Sequence, residues 1–125
     1  MKLSVYVAQK VVELGINHVF MVTGGGSMHL NHSLGTNPEI ECIFNHHEQA
    51  AAMAAESYFR LTNKPALVNV TSGPGGTNAI TGVYGAWTDS LGMVVLSGQV
   101  KFETTVRSTG LPLRQYGDQE LDIER

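Results

Sequence analysis

Four short apolar runs, each leading into a polar or glycine-rich loop, constrain this chain more than any other feature. They are His18-Val19-Phe20-Met21-Val22, Ile40 to Phe44, Ala66 to Val70 and Gly92 to Ser97. The first is continuously apolar, the kind of strand buried on both faces in a parallel sheet. Between the four runs lie segments with a helical period. Leu3 to Leu14 puts Val5, Ala8 and Val12 on one face and stops at Gly15. A short helix is expected from Met28 to Leu34, and Asn37-Pro38 reads as a turn. A longer helix is expected from about Glu48 to Leu61, with Ala50, Met53, Ala54, Ser57, Tyr58 and Leu61 as its inward stripe, before Asn63-Lys64-Pro65 breaks it. The last helix should begin near Thr77, with Ile80, Val83, Tyr84, Trp87 and Leu91 facing the core. Strand and helix in alternation predict an α/β fold of three layers, a mainly parallel sheet with helices on both faces.

The chain of 125 residues is enough for one domain and not two. A net charge of -3 with no basic stripe argues against nucleic acid as a partner. No apolar run reaches the roughly 18 residues that span a bilayer. Met1-Lys2-Leu3-Ser4 leads straight into a helix pattern, with no secretory segment. Cys42 is the only cysteine, so no internal disulfide can form, and a reducing, cytoplasmic setting is expected. After Gln99 the periodicity weakens, and no closing element follows the charged stretch Asp118-Gln119-Glu120-Leu121-Asp122. These features set a domain at residues 1 to 116 and the start of a linker at 117 to 125.

Parallel α/β sheets bind ligands at the carboxyl ends of their strands. Three loops fall there: Thr23 to Ser27, Asn45 to Glu48, and Thr71 to Asn78. Glu48 reads either as an acid presented to a ligand nitrogen or as a carboxylate favoured by the dipole of its helix. Gly73-Pro74-Gly75-Gly76 reads either as a close approach for a ligand or as a tight strand-to-helix turn. It is not a Walker A loop, since no Gly-Lys-Ser/Thr follows, and Asn78 occupies the third glycine position of a dinucleotide fingerprint. His46 and His47 are adjacent and lack the one-face spacing of zinc ligands, so no metal site is assigned. Ser72 does not sit in a Gly-x-Ser-x-Gly elbow.

Asn45-His46-His47-Glu48-Gln49-Ala50-Ala51, Val70-Thr71-Ser72-Gly73-Pro74-Gly75-Gly76-Thr77-Asn78 and Leu96-Ser97-Gly98-Gln99-Val100 resemble the N-terminal pyrimidine-binding domain of thiamine diphosphate enzymes, the acetolactate synthase-like group above all. The resemblance covers nearly the whole chain. It implies that Glu48 is the activating glutamate, hydrogen-bonding N1′ of the cofactor's aminopyrimidine, a role that calls for a carboxylate sheltered from water. It implies that Thr23, Gly24 and Gly25 lie beside the pyrimidine, that Thr71, Ser72, Gly73 and Asn78 form the second cofactor loop, and that Gln119 lies near the substrate. Thr23 stands where many relatives carry proline. Asp118 stands where many acetolactate synthases have phenylalanine, which leaves the particular 2-keto acid open. The Gly-Asp-Gly…Asn motif that binds Mg²⁺ and diphosphate in the family is absent from this sequence. The implied enzyme therefore needs a separate Mg-diphosphate domain, reached through a homodimer or tetramer or through a second chain. The chain alone should be inactive, and FAD binding is left open. The alternative is a non-catalytic dimerisation or cofactor-binding module on the same fold, with the small-residue Ala50 to Ala55 face serving assembly.

Overall fold

A computed structural model describes residues 1–111. Gln119 and the proposed boundary after residue 116 lie outside the described residues. The elements are α1 (Leu3–Glu13), β1 (His18–Met21), a single 3-10 turn (Gly25–Ser27), α2 (Met28–Gly35), β2 (Glu41–Phe44), α3 (Glu48–Thr62), β3 (Ala66–Val70), α4 (Pro74–Thr88), β4 (Met93–Ser97), a second 3-10 turn (Phe102–Thr104) and the short α5 (Val106–Thr109). The strands form one sheet in the order β2-β1-β3-β4, and every pairing is parallel. The expected architecture is borne out, with strand ends shifted by a residue or so.

Side chains alternate across the sheet and split the core into two layers. On one face Val19, Met21 and Leu67 pack with Ala8, Val11, Ile16 and Leu34, so α1 and α2 cover it. On the other face Ala66, Val68 and Val70 pack with Ala51, Ala52, Ala55 and Ala79, so α3 and α4 cover that one. All five residues of β3 are buried, as expected of a central strand covered on both faces, Asn69 being its one polar residue. Gly15 takes φ 77° where α1 ends, and Asn63 takes φ 54° at the end of α3, both left-handed positions that stop a helix.

Two expectations are corrected here. The fully buried face of α3 is Ala51, Ala52 and Ala55; of the expected stripe Tyr58 packs against the core, while Met53 and Leu61 are exposed. Helix α4 begins at Pro74 instead of Thr77, and its buried face is Gly75, Gly76, Ala79, Gly82 and Ala86. Tyr84 and Trp87 are exposed at 68% and 79%, not core residues. The reason is close packing. A methyl group built on Gly82 would lie 2.5 Å from Cβ of Ala52, so the helices meet nearly backbone to backbone. Glycine and alanine form that seam; Tyr58 and Val83 pack against the core beside it, and Met53, Leu61, Ile80, Tyr84 and Trp87 are turned outward. Large side chains mark an amphipathic core face in most helices, but here the smallest ones do. Ala51, Ala52 and Ala55 of the small-residue segment thus pack within the chain, while Ala50 is exposed.

The two helices run parallel in near-constant register. Asn78 meets Glu48, Gly82 meets Ala52, Gly85 approaches Glu56, and Arg60 reaches both Glu56 and Asp89. Their N-termini consequently arrive together at the carboxyl edge of the sheet. Cys42 lies half-buried in β2, and burial pushes its thiol above the ordinary range. Alkylation at mildly alkaline pH should therefore be slower for folded Cys42 than for the same thiol in urea, as followed by mass spectrometry. Equal rates would mean that the thiol is open to solvent.

Candidate functional site

The strand order reverses between β1 and β3. The chain leaves β1 for α2 on one face of the sheet, and leaves β3 for α4 on the other. A crevice opens where two such connections diverge. Two of the three expected loops flank it, and the third brings Glu48 to its side.

The loop after β1 and the loop after β3 are in intimate contact. The Gly26 N–H donates to Thr71 Oγ1 at 3.1 Å. A Cβ on Gly24 would come within 2.5 Å of Thr71 Cβ, and one on Gly26 within 2.5 Å of Ser72 Oγ. Gly98, just beyond β4, seats against the same loop, since a Cβ there would lie 2.4 Å from the Gly26 carbonyl oxygen. These glycines are required by the closeness of the backbones. Gly73, at φ 62° and ψ -122°, adds a second reason, because side-chain-bearing residues rarely adopt that conformation. It lets β3 turn sharply into α4, with Pro74 in the first turn, a position where its missing N–H is not needed.

Glu48 is the first residue of α3 and is half-buried. Asn78, in the second turn of α4, donates from Nδ2 to Glu48 Oε2 at 2.7 Å. A Cβ on Gly75 would lie 3.6 Å from Glu48 Oε1 and 2.6 Å from Thr71 Cγ2. Gly75 therefore links the acid to the Thr71 loop, with no side chain standing between them. His47 Nε2 lies 3.4 Å from Asn78 Nδ2. The N-termini of α3 and α4 both point to this region, which favours a carboxylate or other acceptor there.

The expected cofactor-loop residues among those described lie at one edge of the sheet. Glu48 and Asn78 are hydrogen-bonded, Thr71 and Ser72 hold the glycine loop, Gly73 makes the turn, and Gly24 abuts Thr71. Gly25 is exposed, with nothing within 4 Å of a built Cβ, and Thr23 stands exposed before it. Gly26, Gly75, Gly98, Asn31 and Asn69 were not among the expected site residues. For the glycines the signal was compositional only. For Asn69 it was plain, being one amide in an otherwise apolar strand. No group of three or more His, Cys, Asp or Glu gathers among the described residues.

Comparison with known proteins gives the site its context. The family model described as "Thiamine pyrophosphate enzyme, N-terminal TPP binding domain" matches residues 1–124. The chain is 48% identical over 94 residues to the acetolactate synthase large subunit of Buchnera aphidicola subsp. Acyrthosiphon pisum, a match covering 75% of this chain and 16% of that protein. It is 43% identical over 94 residues to the acetolactate synthase isozyme 3 large subunit of Escherichia coli, covering the same shares. The chain thus spans about a sixth of the length of these relatives. Among solved structures, an enzyme from Mycobacterium smegmatis described as thiamin diphosphate-dependent superposes with a TM-score of 0.75 at 23% identity, covering 85% of this chain and 20% of that one.

Proposed function

The chain belongs to the family of N-terminal TPP-binding domains of thiamine pyrophosphate enzymes, and from that premise we propose that it is the pyrimidine-binding half of an acetolactate synthase-like enzyme acting on 2-keto acids. Its sequence closely resembles acetolactate synthase large subunits. The cofactor that the family implies is thiamine diphosphate. The residues present fit it. The contacts among Gly24, Gly26, Gly75 and Gly98 close the loops onto one another, while Gly25 stays open to a flat ring and Glu48 stands at the side of the crevice. That juxtaposition of Glu48, Asn78 and Gly75 carries the reading.

Glu48 would hold a proton shared with N1′ of the aminopyrimidine. With Oε2 engaged by Asn78, Oε1 on the Gly75 side is the oxygen offered to the ring. Asn78 fixes the carboxylate's rotation, so the acid meets the ring in one orientation. Thr71 and Ser72 hold the loop of Gly24 and Gly25 against the crevice, and Thr23 forms its outer lip. Thiamine diphosphate, when bound, supplies the carbon nucleophile that attacks the carbonyl of a 2-keto acid. Gln119 is proposed to approach that substrate. Thr71 has a hydroxyl that does not titrate near neutral pH, so decarboxylation assisted by a histidine at this position is not expected.

The diphosphate and Mg²⁺ are assigned to a second domain, in the same polypeptide or in a partner. The outward faces of α3 and α4 suit such an assembly, because Met53, Leu61, Ile80, Tyr84 and Trp87 are all exposed along them. A homodimer or tetramer would cover this face. We further propose a cytoplasmic setting, from the lone thiol of Cys42; no described helix is long and apolar enough to cross a membrane.

The test is reconstitution. The chain should make no acetolactate from pyruvate with thiamine diphosphate and Mg²⁺. It should make acetolactate when combined with a polypeptide carrying the Gly-Asp-Gly…Asn domain. Product from the chain alone, or an assembled complex that neither binds thiamine diphosphate nor consumes pyruvate, would overturn the proposal. Assembly without cofactor binding would favour the alternative of a non-catalytic module.

A further inference from the structure

Strand β3 reads Ala-Leu-Val-Asn-Val, and Asn69 is fully buried within it. Asparagine is disfavoured in strands, and burying an amide is unfavourable unless its polar atoms are paired. Only part of that cost is offset here. Asn69 Nδ2 donates to Asn31 Oδ1 at 2.7 Å, while Asn69 Oδ1 is buried without a hydrogen-bond partner among the described residues. A leucine or valine would serve the core better, so the amide calls for another explanation.

Its connections all run to the glycine loop. Asn31 Nδ2 donates onward to the Gly24 carbonyl at 3.4 Å. The same carbonyl accepts from the Ser27 N–H at 3.2 Å and from Ser27 Oγ at 3.3 Å. The Asn69 carbonyl accepts from the Val22 N–H at 3.3 Å, at the start of the loop. Just beyond β3, Thr71 Oγ1 accepts from the Gly26 N–H. The loop is thus strung along the end of β3, and Asn69 holds it twice.

The anchored carbonyl has a consequence on its other side. No peptide bond in the described chain is cis. In a trans peptide the C=O and the following N–H point in opposite directions. With the Gly24 carbonyl drawn toward Ser27 and α2, the Gly25 N–H is turned away from α2. Gly25 is exposed, with open space about its Cα.

We propose that Asn69, acting through Asn31, is a positioning residue that sets the Gly24–Gly25 peptide so that the Gly25 N–H donates to an acceptor atom of the bound ligand. The inference rests on the thiamine diphosphate reading for the identity of that ligand, but not for the relay itself. Asn69 need not touch the ligand. It spends core stability to fix one peptide plane in a loop that has almost no side chains of its own to do so.

The experiment separates the relay from the fold. Amide hydrogen exchange is followed by mass spectrometry on the assembled enzyme, comparing the wild type with Asn69→Leu and Asn31→Asp. Asn31→Asp keeps the acceptor for Asn69 but has no N–H for Gly24. Both variants should speed exchange across residues 23–27 by about 10-fold, the expected effect of losing one hydrogen bond that resists local opening. Exchange in β3 and α3 should stay unchanged. In the kinetic arm both should raise the pyruvate concentration for half-saturation by about 10-fold while kcat changes far less, the mark of lost ligand positioning. Thiamine diphosphate alone, and then with pyruvate, shows by added protection at Gly25 which ligand supplies the acceptor. Unchanged loop exchange, or equal acceleration throughout β3, would overturn the relay. Absent protection at Gly25 with both ligands bound would overturn its donor role. Failure of the wild-type assembly to bind thiamine diphosphate would overturn the functional reading instead, and the exchange comparison would still decide the relay.

Discussion

Glu48→Gln lowers turnover of the assembled enzyme by about 10²–10⁴, the usual range when an acid/base participant is lost. The substitution is nearly isosteric. The glutamine carbonyl can still accept from Asn78 Nδ2, which lies 2.7 Å from Oε2 in the native chain. What changes is proton exchange. An amide does not take up or release a proton near neutral pH, so the proton that Glu48 is proposed to share with N1′ is lost while the shape of the site remains. The melting temperature should stay within about 2 °C of the wild type, because a half-buried polar position with its hydrogen bond kept contributes little to a stability difference. The measurement is steady-state turnover beside a thermal melt and a thiamine diphosphate titration. A large fall in kcat with folding and cofactor binding preserved supports the assignment. Full activity in the variant would remove Glu48 from the chemistry.

Gly82→Leu should unfold the domain well below the wild-type melting temperature. The seam between α3 and α4 leaves no room at this position. A Cβ would lie 2.5 Å from Ala52 Cβ, 3.1 Å from the Met53 nitrogen and 3.2 Å from the Gln49 carbonyl oxygen. Two of those three are backbone atoms, which cannot move aside as a flexible side chain can. Helix propensity works in the opposite direction, since leaving glycine gains up to about 1 kcal/mol in a helix interior. Overpacking typically costs about 1–3 kcal/mol and occasionally more, and a full leucine in this seam belongs at the upper end. The expected net loss is about 2–3 kcal/mol, a fall in melting temperature on the order of 10 °C for a domain of this size. Gly82→Ala decides the sign more sharply. Propensity alone would make it stabilising, so a lowered melting temperature identifies the contact with Ala52, and a raised one would show that the helices separate freely. Ala51→Leu should destabilise for the same reason, because Ala51 is fully buried within the chain.

The clearest contrast between sequence and structure lies in these two helices. Spacing at three and four residues marked Ala50, Met53 and Leu61 on α3, and Tyr84 and Trp87 on α4, as inward. The structure turns them out. Periodicity locates a face by size and hydrophobicity, but two helices in near-backbone contact select against size. Glycine and alanine carry almost no hydrophobic signal, so the true seam was faint in the sequence even though Gly75, Gly82 and Ala86 recur along it. The exposed aromatics then belong to the face proposed above for assembly.

The site shows a related limit. Glu48, Thr71, Ser72, Gly73 and Asn78 were legible because they stand at predicted strand ends and match a family pattern. Their mutual contacts were not, nor was the service of Asn69 to a loop some 45 residues earlier in the chain. By itself the sequence determined that this chain alternates strand and helix, builds a parallel sheet, and delivers three loops to one edge. Those properties follow from local composition, since a run of buried apolar residues and a helical period are written residue by residue. Only the tertiary structure decided which helix faces meet, that Gly75 brings Glu48 beside Thr71, and that a buried amide anchors the glycine loop. Such choices depend on distances of two to four ångströms between segments remote in sequence, set by the packing of whole elements and encoded in no single stretch of the chain.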